Sequence, residues 1–251
     1  MEVRHELAHE FSRQKKDKIG IPAEVEEKYI KIAEGYAEVE NALAVLSIID
    51  RNESVVVHGR FSDCIAIDRE NCSGRISSIW EDEIFKAINP DDLEMKLMQE
   101  LLFFHYVNRQ PRQCRFNKCL IQQLRMRGRN GEWIEAMHRL YYIPAEDGRT
   151  IRFALCLYGG MTTALNAKSV VVVTFSGERV VLVNAVGRKI LSRQEIEVLK
   201  LIDNGNRSKW IAEILNISIH TVSRHRQNII AKLKVRNSAE ACKIARNLSL
   251  I

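Results

Sequence analysis

Residues 191–241 read LSRQEIEVLKLIDNGNRSKWIAEILNISIHTVSRHRQNIIAKLKVRNSAEA, and this stretch decides how the chain is to be read. Ser192 followed by Glu195 has the spacing of a capping box, so a helix starts there. Ile196, Leu199 and Ile202/Asp203 give it an inner stripe, and Asn204-Gly205 ends it. A second, short helix is expected over 208–215, with Ile211, Ala212 and Leu215 facing inward. Asn216 comes next, a residue that tolerates the left-handed backbone a tight bend requires. Ser218 then caps a third helix over 219–233.

The third helix carries the chemistry. At 100° per residue, Val222, His225, Ile229 and Leu233 share its core face. His220, Ser223, Arg224, Gln227, Asn228, Ala231 and Lys234 gather on the other face, and no acidic residue occurs anywhere along the helix. Guanidinium, amide and short hydroxyl groups are those that read base edges in the major groove. The charge balance agrees. Residues 191–251 hold 11 Lys+Arg against 5 Asp+Glu, and the remaining residues hold 27 of each sign. The whole formal net charge of +6 therefore lies where a polyanion would bind.

The motif set Leu191-Ser192-x-x-Glu195, Val198-Leu199, Gly205, Ile211-Ala212, Leu215, Ile217-Ser218, Thr221-Val222, His225, Asn228-Ile229, Lys232-Leu233, Val235-Arg236-Asn237 and Ala239-Glu240 resembles the LuxR-type helix-turn-helix output module. The resemblance implies a transcription factor that binds double-stranded DNA as a homodimer. It implies base contacts from Ser223, Arg224 and Gln227, and phosphate contacts from Lys209, Thr221, Asn228 and Lys232. Asn216 stands where glycine is usual, and Trp210 where an exposed charged residue is usual. The tryptophan packs on the sensor or a partner subunit, or is simply an exposed ring.

The electroneutral part reads as a sensor. Its first 20 residues are polar and are expected to be frayed or weakly helical. Val25, Tyr29, Ile32, Tyr36, Val39 and Leu43 then follow at alternating spacings of four and three, an a/d stripe. That helix either packs on its own domain or pairs with a second copy. LAVLSIID (43–50) and SVVVHG (54–59), around Arg51-Asn52-Glu53, form an N-terminal hairpin. Asn89 or Asp91 caps the run LEMKLMQELLFFHYV. FNKCLIQQLRMRG, EWIEAMHRLYYI and TIRFALCLYGG are three strands, joined by Asn130-Gly131 and by Glu146-Asp147-Gly148-Arg149.

This gives an antiparallel sheet with helices on one side. Asn89-Pro90-Asp91-Asp92 and the hairpin Arg127-Gly128-Arg129-Asn130-Gly131-Glu132-Trp133 resemble elements of a PAS domain, a fold that senses ligands and commonly dimerises. A last hairpin spans 169–183, and Ala185-Val186-Gly187-Arg188-Lys189 is the expected linker. The fold class is therefore α+β, a PAS-like antiparallel sheet with helices followed by an all-α four-helix domain. Residues 1–42 are a tail and helix, 43–161 the sensor, 162–190 hairpin and linker, and 191–251 the DNA-binding module.

Several functions are disfavoured. The longest stretch free of formal charge, Phe153 to Ala167, falls short of the ~20 apolar residues of a spanning helix, and the charged N-terminus has no signal core, so a cytoplasmic protein is expected. The six cysteines are scattered, without zinc-site spacing, and no cofactor is expected. Gln113-Cys114-Arg115-Phe116 echoes flavin-binding light sensors, yet follows Pro111 and leads into a strand. His58, His105 and His138 are isolated candidates for haem ligation, and core histidine is the plainer reading of each. There is no receiver-type acidic cluster and no glycine-rich phosphate loop. Three alternatives stay open: a sigma-like RNA polymerase subunit, which needs an all-helical N-terminal half; an enzyme with a DNA-binding tail; and a regulator whose N-terminal part only dimerises. RNA polymerase and a small-molecule ligand are further candidate partners.

Overall fold

The computed structural model describes residues 2–14, 20–146, 148–161, 169–180, 191–233, 235–247 and 250–251. It divides into two compact units, Val3–Arg179 and Val180–Ile251. The expected linker 185–189, part of the last hairpin, Asp147 and Lys234 lie outside the described residues.

The N-terminal unit is built on one antiparallel sheet. Its strands are β1 (Leu43–Ile48), β2 (Glu53–His58), β3 (Gly74–Ile76), β4 (Lys118–Arg127), β5 (Trp133–Pro144), β6 (Ile151–Gly160), β7 (Ser169–Val173) and β8 (Arg179–Val180). The spatial order is β3-β2-β1-β6-β5-β4-β7-β8. The expected N-terminal hairpin and three-strand meander are its centre, with β1 closing on β6 through pairs such as Val45–Cys156. β7 pairs with β4, so the first strand of the late hairpin extends this sheet. An eight-stranded sheet is not the all-helical half that a sigma-like subunit requires.

Two turns show why these residues sit where they do. Asn52 closes the β1–β2 connection at φ +54°, and Gly131 closes β4–β5 at φ +83°. Gly59 serves a different need: a Cβ there would lie 2.4 Å from the carbonyl oxygens of Ala37 and Ala42. The chain leaving β2 crosses the end of a helix at backbone contact, and only glycine fits.

Helices cover both faces of the sheet, where the sequence suggests one. On one face lies α2 (Ala23–Val39), over Ala44, Leu46, Ile48, Phe153, Leu155 and Leu157. Its fully buried apolar residues are Ala33 and Ala37, small enough to let helix and sheet approach closely. Val25, Tyr29, Ile32 and Tyr36 are half-buried against the same sheet, Val39 is exposed, and Leu43 belongs to β1. The a/d stripe thus marks a helix packed on its own domain. Glu26, at the helix start, is buried between Arg51 and Arg75. Burial raises its carboxyl, but the bonds from both arginines outweigh this and hold it below the usual range.

The other face carries α3 (Asp82–Ala87) and α4 (Pro90–Asn108). Asn89 caps α4 by accepting from the Asp91 N–H, with Pro90 in the first turn. Of the frayed or weakly helical start expected, residues 2–13 take the helical form: α1 (Glu2–Arg13) seats Leu7 and Phe11 in the same core, with Phe11 edge-on to Phe104 and Tyr142. The signal is short: Val3, Leu7 and Phe11 recur every four residues, but over fewer than three turns of an otherwise polar segment. Among the described residues, no helix is long and apolar enough to cross a membrane.

The C-terminal unit holds α5 (Arg193–Asp203), α6 (Ser208–Leu215), α7 (Ile219–Leu233) and α8 (Ser238–Asn247). Leu191, Val198, Leu199, Ile211, Val222, Ile229, Leu233, Ala241 and Ala245 form its core. The inner line of α5 is Glu195, Val198 and Leu199; Ile196 and Ile202 are only half-buried. A buried glutamate was not expected there, and its partner explains it below.

Candidate nucleic-acid interface

Local signals fix where α7 points. The Ser192 hydroxyl accepts the Glu195 N–H at 3.2 Å and the Glu195 carboxylate accepts the Ser192 N–H at 2.6 Å, closing the capping box. Asn216 ends α6 at φ +51°, ψ +47°, the left-handed bend that glycine usually supplies. Ser218 Oγ accepts the Thr221 N–H at 3.0 Å and starts α7. Val222, Ile229 and Leu233 are then driven into the core, which turns the opposite face of α7 outward.

On that face His220, Ser223, Arg224, Gln227 and Ala231 are exposed and Asn228 is half-buried, while His225, expected with the core residues, is only half-buried. Lys209 is exposed on α6. Thr221 is half-buried, with its hydroxyl 2.9 Å from that of Ser218. Ser223, Arg224 and Gln227 therefore share one accessible surface, free of acidic residues along the whole helix.

Lys232 is placed differently from the other candidates. Its ammonium donates to both oxygens of Glu195, at 2.7 and 2.8 Å. Burial raises the Glu195 carboxyl, but the bonds from Lys232 and from the Ser192 N–H prevail and hold it below its usual range. The pair locks the last turn of α7 to the first turn of α5.

The sequence reading also passed over Arg226. Its guanidinium donates to Ser208 Oγ and to Ser238 Oγ, each at 3.1 Å, so it joins the first residues of α6 and α8 to the middle of α7. These groups, with Ser223, Gln227 and Arg236, line an open groove of about 610 Å³. The first turn of α6, two hydroxyls and two guanidinium groups make an anion-favouring surface continuous with the outer face of α7, whereas the start of α8 is capped by Asn237, which accepts the Glu240 N–H at 2.9 Å. A serine opening each helix was the available signal. Trp210 and Ile214, one turn apart on α6, are both exposed.

The N-terminal unit holds a second cluster of chemistry-bearing groups, which sequence spacing could not reveal because they come from four elements. Lys96 and Glu100 of α4 form a buried ion pair at 2.7 Å. Gln122 of β4 donates to Gln99 at 2.7 Å, which leaves its carbonyl oxygen to accept from His138 Nδ1, also at 2.7 Å. Burial, with the Lys96 ammonium nearby, holds the His138 imidazole neutral. Donor atoms of Glu100, His138 and Cys156 lie within 4.8 Å of one another. Such a trio could hold a transition metal. The cation in contact with it here is the Lys96 ammonium, which occupies Glu100, so the residues do not fit an added metal ion. His58 bonds to Ser62 Oγ at 3.0 Å and to the Cys72 carbonyl, His105 is half-buried on α4, and Cys114 is exposed in a 3₁₀ turn.

Residues 189–245 match the profile of the bacterial regulatory proteins of the luxR family. The oxygen regulatory protein NreC of Staphylococcus epidermidis is 40% identical over 63 residues, 25% of this chain and 29% of that protein. NreC of Staphylococcus aureus matches to the same extent. The chain spans less than a third of the length of these curated relatives. Among solved structures, VqmA of Vibrio cholerae is 15% identical over 86% of either chain, with a TM-score of 0.31. SdiA of Escherichia coli is 16% identical over 99% of this chain and 97% of its own, with a TM-score of 0.29. The profile match falls on the four helices that build the capped bend and its outward face, and the C-terminal unit is a luxR-type helix-turn-helix DNA-binding domain.

Proposed function

We propose that this chain is a sequence-specific transcriptional regulator that binds double-stranded DNA as a homodimer in the cytoplasm, with the N-terminal unit acting as a PAS-like sensor. The observation that carries the reading is the exposed, acid-free face of α7 on a domain whose core and caps fix its direction. In this reading Ser223, Arg224 and Gln227 contact base edges, and Lys209, Thr221 and Asn228 contact phosphates. The groove around Arg226 takes a phosphate of the same strand. Lys232 acts one step back, by holding α7 against α5. The sensor reading is supported by the order of hairpin, helical middle and three-strand meander, and by the buried ionic cluster beside a cavity.

Fluorescence anisotropy of the full chain on duplex DNA tests the reading. Each phosphate contact lowers the slope of log affinity against log salt by about 0.9. The reading requires a steep salt dependence together with a sequence preference that survives added salt. Binding indifferent to salt, or none on any duplex, would reject it.

A further inference from the structure

Leu7 and Phe11 of α1 form one part of the wall of the cavity in the N-terminal unit, and Glu81, Lys96, Glu100 and Cys156 lie in the rest. With α1 in place the cavity measures about 40 Å³, room for roughly three waters. A larger molecule reaches those groups only if part of the wall leaves.

Of that wall, α1 is held by the fewest anchors. Among its described side chains only Leu7 and Phe11 are buried, whereas α4 places eight apolar residues between Met95 and Val107 in the same core. The Arg4 guanidinium donates to both Asp82 oxygens, at 2.6 and 3.1 Å, and lies 4.8 Å from the centre of the Trp80 ring. The two side chains of that ion pair are 34% and 55% exposed, and an exposed pair adds little. Gln14, just past the helix, accepts from the Ile151 N–H at 2.7 Å. Closure also works against two costs. It helps to shut Lys96, Glu100 and Glu81, all almost fully buried, away from water, and the desolvation of such groups opposes their mutual attraction. Ordering the helix costs conformational entropy at every residue. Opening recovers both. Segments with few buried apolar side chains are those that open locally, without global unfolding.

We propose that α1 is a removable lid, which opens as a unit while the sheet, α2 and α4 stay folded, and so admits small molecules to the groups beneath it. The place that Phe11 vacates, edge-on to Phe104 and Tyr142, supplies the room that the closed cavity lacks. The inference deepens the sensor part of the proposed function and rests on it, because a ligand that binds one arrangement of α1 better than the other shifts the balance between them.

The test uses the full chain, with N-ethylmaleimide as probe and peptide mass spectrometry to read each cysteine. Cys156 lies in the cavity wall, while Cys119 and Cys242 are buried away from it and report opening elsewhere. Hydrogen exchange is read in the same samples. In the parent chain the amides of residues 7–13 should exchange about tenfold or more faster than those in the middle of α4. Phe11→Ala should speed the labelling of Cys156 by about tenfold or more and leave Cys119 and Cys242 within about twofold of the parent. Arg4→Ala, which removes the exposed anchor alone, should speed Cys156 in the same direction with the melting temperature unchanged. Exchange of α1 in step with α4 overturns the proposal, and so does equal acceleration of all the buried cysteines in Phe11→Ala. The exchange comparison on the parent chain stands even where Phe11→Ala fails to fold. Anisotropy on one duplex keeps the two readings apart. A fixed α1 with DNA affinity intact rejects the lid alone; loss of DNA binding in the untreated parent rejects the regulator reading instead.

Discussion

Replacing Lys232 by methionine separates two roles for this residue. The family resemblance makes it a phosphate contact, whereas the structure puts its ammonium on the Glu195 carboxylate at 2.7 Å. The carboxylate is almost fully buried, with a side-chain exposure of 3%, and the lysine side chain is 42% exposed. Removing the ammonium leaves Glu195 with the Ser192 N–H as its bonded partner. Breaking a fully buried pair costs about 3–5 kcal/mol. An exposed pair is worth about 0–1 kcal/mol. With one partner buried and the other half in water, we expect a loss of about 1–3 kcal/mol, a fall of roughly 4–8 °C in melting temperature per kcal/mol for a unit of this size.

The sign of the pH dependence follows from the depressed Glu195 carboxyl. Its contribution is fully present above the unfolded pKa, and is lost as pH falls through the lower folded value. The difference between parent and Lys232→Met should therefore be largest near neutrality and shrink in acid. Urea unfolding of the C-terminal unit, followed by Trp210 fluorescence and circular dichroism at several pH values, measures it. The salt slope of DNA binding should stay the same. An unaltered stability with a slope reduced by about 0.9 would refute the argument and restore the phosphate role.

Arg226→Leu should weaken binding to all duplexes alike and reduce the salt slope by about one, measured by anisotropy at several salt concentrations. A specific loss at one base position would show that the groove it lines reads sequence. Asn216→Val forces a β-branched residue to φ +51° and should cost about 1–2 kcal/mol in urea unfolding, whereas Asn216→Gly should change stability by less than about 1 kcal/mol. Ile32→Glu should destabilise the N-terminal unit, because Ile32 packs on its own sheet, and the protein that remains folded should sediment as the parent does. Conversion to monomer would make α2 a dimer seam after all.

The legible parts of this chain are those where a local signal has a single structural solution. Ser192 with Glu195 specifies a geometry within four residues and forms as expected, and of the two caps offered for α4, Asn89 or Asp91, Asn89 takes the role. Asn216 takes the left-handed bend for the same reason. The core of α7 follows from its periodicity, since Val222, Ile229 and Leu233 can be buried together in one way only. What escaped depends on partners distant in sequence. Glu195 was readable as a cap but not as the buried partner of Lys232, 37 residues on. The stripe on α2 suggested Val39 as an inner residue, because periodicity cannot say where the sheet beneath a helix ends. The cavity cluster joins Lys96, Glu100, His138 and Cys156 from α4, β5 and β6, and no spacing rule covers three elements.

The central claim is that α7 reads base edges, and Arg224 is the residue on which it can be tested most directly. Duplexes selected from a randomised library by the full chain, and separately by Arg224→Ala, should give the measurement. The parent should enrich a motif of two related half-sites. The variant should lose preference at one position in each half-site, with affinity for the parent motif reduced by about 1–3 kcal/mol. Enrichment of the same motif with equal affinity by both proteins, or no enrichment by the parent, would contradict the account.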